Sequence, residues 1–325
     1  MNSTVETLGY VDAEIPETLN LAVEIARLKE QKQAVIMAHY YQPAEVQAIA
    51  DFVGDSLALS QQAARLDRPI ILFAGVRFMA ETAKILAPSS KVLLPDLNAG
   101  CSLADSCGYD AFKQFVNQHP DHKVVTYVNT TAEIKSLSYI CCTSSNAVQV
   151  VDSIPAHEPV IFAPDRNLGS YIKRLTNRQN MLVWDGACHV HDQFSVQRIL
   201  ELKQQHPQAK IIAHPECKQP VLLLADFVGS TAQLLAYTQQ QQATDFIVAT
   251  EAGILTEMMR ANPSKNYIPA PPDDSTCACN ECSYMKLTTL KKMYLSLKYE
   301  LPEVEVEPDL ARLARVPIER MLSVV

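Results

Sequence analysis

Ala50-Asp-Phe-Val-Gly-Asp-Ser56 and Ala225-Asp-Phe-Val-Gly-Ser-Thr231 are near copies of one another, and Cys142-Thr-Ser144 ends a weaker third copy. Upstream of each copy, a short apolar run ends in an aromatic or imidazole side chain: His39, Tyr127 and His214. The intervals His39 to Ser56, Tyr127 to Ser144 and His214 to Thr231 are each 17 residues. Successive copies are offset by 88 and 87 residues. A fixed period across a whole chain marks a repeated supersecondary unit. This period is longer than that of ordinary solenoids, so it predicts three compact units rather than a stack.

The runs between the copies carry the same message. Short apolar stretches at 34–38, 70–74, 92–94, 124–128, 160–163, 181–184, 210–213, 246–249 and 266–269 read as buried parallel strands. Helical patterns at 44–52, 78–86, 111–118 and 195–205 lie between them. Strands that alternate with helices give parallel sheets covered on both faces. The expected fold is therefore α/β: three pseudo-symmetric three-layer αβα domains with short parallel sheets around a central active site. The expected boundaries are 1–110 with an N-terminal extension, 111–198, and 199–325 with a C-terminal extension. The tails at 1–16 and 303–325 carry no interpretable motif.

Bulk properties narrow the function. The chain has 325 residues, 48% of them hydrophobic and 20% charged, which suits an ordinary globular core. A net charge of −8 offers no broad basic field for nucleic acid. No apolar run approaches the roughly 18 residues of a membrane span. Residues 1–16 contain acidic side chains but no Lys or Arg, unlike a secretory signal. The expected compartment is the cytoplasm. Nine cysteines in a reducing compartment point to metal or catalysis before disulfides.

In parallel α/β sheets, ligands bind beyond the carboxyl ends of the strands, where His39, Tyr127 and His214 stand. Ser56, Ser144 and Thr231 each open a helical pattern, so they read either as simple N-caps or as anion-binding hydroxyls. Cys101, Cys188 and Cys282 each follow the last strand of a repeat, at 45, 44 and 51 residues from the hydroxyl. One thiol per repeat suits an iron–sulfur cluster with one iron left without a protein ligand, where it acts as a Lewis acid. Zinc is the rival metal, on Cys277, Cys279 and Cys282. Cys107, Cys217, Cys277 and Cys279 lack symmetric counterparts and are read as non-ligands, and Cys141 and Cys142 as small buried hydrophobes.

Ala38-His-Tyr-Tyr41, Asn98-Ala-Gly-Cys101, Tyr127-Val-Asn129, Cys142-Thr-Ser144, Gly186-Ala-Cys-His-Val-His191, His214-Pro-Glu216, Thr250-Glu-Ala-Gly253 and Cys282-Ser-Tyr-Met-Lys286 together resemble the quinolinate synthase family over nearly the whole chain. The resemblance implies one 4Fe–4S cluster per chain on Cys101, Cys188 and Cys282. It implies condensation of iminosuccinate with dihydroxyacetone phosphate to quinolinate, phosphate and water in NAD biosynthesis. It also implies that His39, Ser56, Tyr127, Asn129, Ser144, His214, Glu216 and Thr231 line the substrate site. The one departure from the family's pattern is the crowded Cys277, Cys279 and Cys282 segment.

The reaction needs proton carriers. The candidates are Glu216, Tyr41 and His39 as catalytic groups, with Glu216 first as base or else an anchoring carboxylate. His191 is a further substrate contact, three residues past Cys188. No Walker-type phosphate loop occurs, in keeping with phosphate as a leaving group. The expected partners are the two small substrates and the enzyme that makes iminosuccinate. The alternatives are another 4Fe–4S hydro-lyase whose open iron only dehydrates, and a non-enzymatic binding module with structural cysteines.

Overall fold

The computed structural model describes residues 2–274 and 280–324. Twelve strands fall into three four-stranded sheets, all of whose pairings are parallel. The first sheet holds β1 (Ala34–His39), β2 (Phe52–Gly54), β3 (Ile70–Ala74) and β4 (Lys91–Leu93). The second holds β5 (Lys123–Tyr127), β6 (Ile140–Cys142), β7 (Val160–Ala163) and β8 (Met181–Val183). The third holds β9 (Lys210–Ala213), β10 (Phe227–Val228), β11 (Asp245–Ala249) and β12 (Asn266–Pro269). Each sheet has the same order, with the second strand of the repeat at one edge and the fourth at the other: β2-β1-β3-β4, β6-β5-β7-β8 and β10-β9-β11-β12. Helices alternate with the strands throughout, so the α/β class and the threefold repetition expected from the sequence are present.

The nine strands expected from apolar runs are all found. The three that were not expected, β2, β6 and β10, are edge strands of two or three residues. They lie inside the repeated motif itself. Such short pieces give no period to read. The motif aspartate starts the pairing instead. Asp51 accepts the Ile36 N–H at 2.8 Å and returns its own N–H to the Ile36 carbonyl at 2.9 Å. Asp226 repeats this on Ile211 at 2.9 and 2.7 Å. In the second repeat the backbone bond survives, Tyr139 N–H to Val124 O at 2.8 Å, but Tyr139 stands where the other repeats have the aspartate. The Ser138 and Thr126 hydroxyls bond there at 2.8 Å.

The central strands explain the continuous apolar runs. Every residue of β1, β3 and β7 is buried, so both faces of the strand are covered. The chain packs as two compact units. The first comprises residues 1–101, 131–136 and 283–315, and contains the first sheet. The second comprises residues 102–130, 137–282 and 316–325, and contains the other two. Each sheet falls inside one of the three expected segments, but segment 283–315, expected with the third repeat, packs on the first sheet. Met293, Tyr294, Leu295 and Leu297 enter the same core as Ile36, Leu72 and Leu93. Glu300 adds ion pairs to Lys32 at 2.6 Å and Lys91 at 2.8 Å. Among the described residues, no helix is long and apolar enough to cross a membrane.

Candidate active site

The first and third repeats share one strand-end geometry. After β1, the Tyr41 N–H donates to His39 Nδ1 at 3.2 Å, and the two rings meet edge to face at 4.5 Å. After β9, the Glu216 N–H donates to His214 Nδ1 at 3.3 Å. An accepting Nδ1 leaves the neutral ring's proton on Nε2. His214 therefore presents Nε2–H, which lies 3.1 Å from Ser144 Oγ. After β5, Tyr127 takes the imidazole's place and Asn129 stands two residues on. Asn129 Oδ1 is buried with no hydrogen-bond partner among the described residues, so an acceptor waits there for a donor.

In the second unit these strand ends feed a buried polar network. His191 Nδ1 lies 2.8 Å from Glu216 Oε2, with both side chains 3% exposed. The same nitrogen is 3.2 Å from Cys188 Sγ, while His191 Nε2 is 2.9 Å from Thr250 Oγ1. The His191 and His214 rings face one another at 4.7 Å. Burial pushes the Glu216 carboxyl up. The adjacent His191, His214 and the Tyr127 hydroxyl outweigh that and bring it down to about 2. Glu216 is thus a carboxylate at any neutral pH. Ligating atoms of Cys188, His191 and Glu216 lie within 4.8 Å of one another, a group able to hold a metal.

The hydroxyls divide into two kinds. Ser56 and Thr231 are first residues of the helices Ser56–Ala63 and Thr231–Gln240. They are not the N-caps. Asp55 caps the former by accepting the Ala58 N–H at 3.0 Å, and Ser230 caps the latter in a reciprocal capping box with Gln233. Ser144, expected to open a helix, does not. Asn146 Oδ1 accepts the Thr143 N–H at 2.8 Å, closing a turn that delays the helix to Ala147–Asp152. Ser144 is left at the turn, where it meets His214.

The cysteine loops carry a backbone signature that sequence reading could not supply. Arg77 N–H donates to Ala99 O at 2.7 Å, Arg166 N–H to Gly186 O at 2.7 Å, and Ala252 N–H to Asn280 O at 2.9 Å. The three donors follow β3, β7 and β11. Each acceptor sits two residues before Cys101, Cys188 or Cys282. These three thiols are half-buried, whereas Cys107, Cys141, Cys142 and Cys217 are buried. Burial pushes the Cys107 thiol up to about 12, and those of Cys142 and Cys217 well above the usual thiol range. These remain neutral and unreactive. Cys277 and Cys279 lie outside the described residues.

Three contributors were missed by residue-level reading. Thr250 holds His191. Glu251, wholly buried, accepts the Cys282 N–H at 3.0 Å and the Gly253 N–H at 2.7 Å. Asp165, also wholly buried, caps the helix Arg166–Leu175 through the Leu168 N–H at 2.7 Å, and its carboxyl is raised by burial and by the charge of Glu216. Thr250 and Glu251 were visible only as part of the stretch Thr250-Glu-Ala-Gly253. A carboxylate among apolar residues at a strand end was their available signal. In the first unit, Lys286 donates to the Tyr41 carbonyl at 2.7 Å and so holds the turn that bears Tyr41.

Comparison with known proteins gives one consistent picture. A sequence-family profile described as Quinolinate synthetase A protein matches residues 23–323. A quinolinate synthase of Synechococcus sp. is 56% identical over 318 residues, 97% of this chain and 99% of its own length. That of Thermosynechococcus vestitus is 56% identical over 308 residues, 95% and 96% of the two chains. That of Synechocystis sp. is 55% identical over 309 residues, 94% and 96%.

Proposed function

The chain belongs to the quinolinate synthase family, and from that premise we propose that its site condenses iminosuccinate with dihydroxyacetone phosphate to give quinolinate, phosphate and water, with one 4Fe–4S cluster held by Cys101, Cys188 and Cys282. The observation that carries the ligand set is the threefold backbone bond to the carbonyl two residues before each of these cysteines. It favours Cys282 as the repeat partner of Cys101 and Cys188 by position in the fold, not by similarity of sequence.

The donor chemistry fits the cluster. The three half-buried thiols are free of the deep burial that keeps Cys107, Cys142 and Cys217 protonated. The Cys188, His191 and Glu216 group suits a mononuclear metal less well. His191 Nδ1 and Glu216 are already spent on one another at 2.8 Å. A bound cluster with three protein ligands supplies an open iron that polarises a departing oxygen.

The chain's own residues bind and orient. Ser56 and Thr231 place hydroxyls at helix starts whose N-caps are other residues, where the helix N-termini suit the carboxylates and phosphate of the substrates. Ser144 and Asn129 offer a hydroxyl and an unpartnered amide oxygen. Glu216 is a weak base on its own when its pKa is about 2. Its place in the proton path is to orient the Tyr127 hydroxyl and the His191 imidazole, which exchange the protons. His39 and Tyr41, packed ring to ring, are the corresponding pair of proton carriers in the first unit. Because a free imine hydrolyses in water, the proposal includes transfer from the enzyme that makes iminosuccinate, in the cytoplasm where the thiols stay reduced.

The test is anaerobic iron and sulfide analysis of wild type and of Cys101→Ala, Cys188→Ala and Cys282→Ala, with quinolinate formation assayed in parallel. Loss of cluster and activity in all three supports the proposal. A full cluster in Cys282→Ala moves the third ligand to Cys277 or Cys279. A full cluster without quinolinate formation in wild type rejects the reaction.

A further inference from the structure

Register fixes which residues correspond across the repeats. Ile71, Val160 and Phe246 pair with equivalent positions on the first strand of each sheet, namely Val35, Lys123 and Lys210. Five residues beyond them stand Val76, Asp165 and Glu251. Each immediately precedes the donor of the bond that recurs before the cysteine. In the first repeat this position is an apolar, buried valine. In the third it is a glutamate with no exposed surface. A buried carboxylate is costly unless its oxygens are satisfied. Both oxygens of Glu251 are: Oε1 takes the N–H of Cys282 itself and Oε2 takes the N–H of Gly253.

We propose that Glu251 is the positioning residue for Cys282, fixing the backbone of that cysteine so that its sulfur is aimed before any metal arrives. The proposal rests on the reading of Cys282 as a cluster ligand. The carboxylate spans two backbone segments, the turn after β11 and the loop that returns to Cys282, and so adds to the Ala252 N–H to Asn280 O bond that already joins them. Its neighbour Thr250 holds His191 Nε2. One dipeptide therefore sets both a proposed metal ligand and an imidazole of the substrate network. A charge-assisted bond to a backbone N–H is about twice as strong as a neutral one. Glutamine at this position keeps one acceptor but turns an amide NH2 against the second N–H, so one of the two bonds is lost and replaced by repulsion.

The experiment uses the full chain, stripped of metal anaerobically. Alkylation by iodoacetamide is followed peptide by peptide in wild type and Glu251→Gln. The expected result is a several-fold faster reaction at Cys282 with the rate at Cys188 unchanged. Equal rates at Cys282 in the two proteins overturn the proposal. Amide hydrogen exchange at Cys282 in wild type provides a check that needs no variant: strong protection is expected, and exchange at the rate of an open chain overturns the assignment. On reconstitution, Glu251→Gln is expected to lose its cluster to a chelator several-fold faster than wild type. Faster alkylation in Glu251→Gln beside full cluster retention in Cys282→Ala leaves the positioning role standing and removes Cys282 from the ligand set.

Discussion

The loop that leads to Cys101 and the loop that leads to Cys282 make the same backbone bond and brace it in opposite ways. Before Cys282, the brace comes from outside the loop, from Glu251. Before Cys101, the side chain of the equivalent Val76 contributes only apolar packing, and the carboxylate that braces the loop, Asp96, lies within it. Asp96, 1% exposed, accepts the Asn98 N–H and Asn98 Nδ2, each at 2.9 Å, and pairs with Lys292. Repetition has preserved where the main chain goes. It has not preserved which side chain holds it there. The position is inherited through the strand ladder, while each loop finds its own way to satisfy a buried polar group.

The sharpest way to break this comparison is to remove each brace. Asp96→Ala leaves Lys292 and a loop N–H without their acceptor and is expected to cost about 3–5 kcal/mol, the usual penalty for halving a buried pair. Val76→Ala is expected to cost about 1–2 kcal/mol as a simple cavity. Urea unfolding of both variants measures the difference. A larger loss for Val76→Ala would mean that position 76 braces the first loop as position 251 is proposed to brace the third.

Two carboxylates extend the contrast to pH. Glu216 and Glu300 are each held down to about 2. For Glu216, burial opposes the shift and His191 drives it. For Glu300, the hydrogen bonds of Lys32 and Lys91 drive it on a side chain 34% exposed. A carboxyl depressed in the folded state stabilises fully above its unfolded value of 4.5, and that contribution is lost as pH falls from 4.5 through about 2. For Glu216 the loss is at most about 3 kcal/mol. Comparing Glu216→Gln with wild type between pH 5.5 and 3 should recover about 2 kcal/mol of it, equally at low and high salt. The share of Glu300 should largely vanish in ~1 M salt, where screening acts within a few ångströms. Equal salt sensitivity at both sites would show that the Glu216 pair is open to solvent.

One position earlier in the repeat, the third copy has Thr250 where the first has Gly75. A Cβ at Gly75 would meet Phe73 at 2.8 Å, so the first repeat has no room for the hydroxyl that reaches His191 in the third. Thr250→Val keeps the volume and removes that hydroxyl. The expected effect is about 1–2 kcal/mol, read as a roughly tenfold fall in kcat/KM for quinolinate formation. An unchanged kcat/KM would remove Thr250 from the substrate network.

The comparison also shows what the sequence made legible. Central strands announced themselves, because burial on both faces demands unbroken apolar runs. The positions of the strand-end residues, and of one cysteine after the last strand of each repeat, could be read from spacing, since a parallel ladder fixes distance along the chain. Glu251 and Asp165 were not found, because a single carboxylate has no period. What identifies it is the set of N–H groups that converge on it in space. Ser144 was misjudged as a helix start for a related reason: Asn146, two residues on, competes for the local backbone, and that competition has no signature in the spacing. The packing of 283–315 on the first sheet likewise depends on apolar contacts too distant in sequence to read.

The mildest test concerns the first loop alone. Asn98 Nδ2 donates to Leu8 O at 2.7 Å, and the Leu97 N–H donates to Gly9 O at 2.8 Å, so the N-terminal segment clasps the loop that ends at Cys101. This segment lies outside the family profile, which begins at residue 23. Gly9 has φ +80°, and a Cβ there would stand 2.6 Å from Asn98 Nδ2. Gly9→Ala is therefore strained twice, by its backbone and by the amide it displaces. The expected loss of stability is about 1–2 kcal/mol. Its informative consequence is local. If the first loop is braced independently of the third, alkylation of metal-free protein should accelerate at Cys101 and stay unchanged at Cys188 and Cys282. Acceleration at Cys282 as well would mean that the braces form one mechanical system, and the contrast between a loop with its own carboxylate and a loop held by Glu251 would then be a difference of residues without a difference of function.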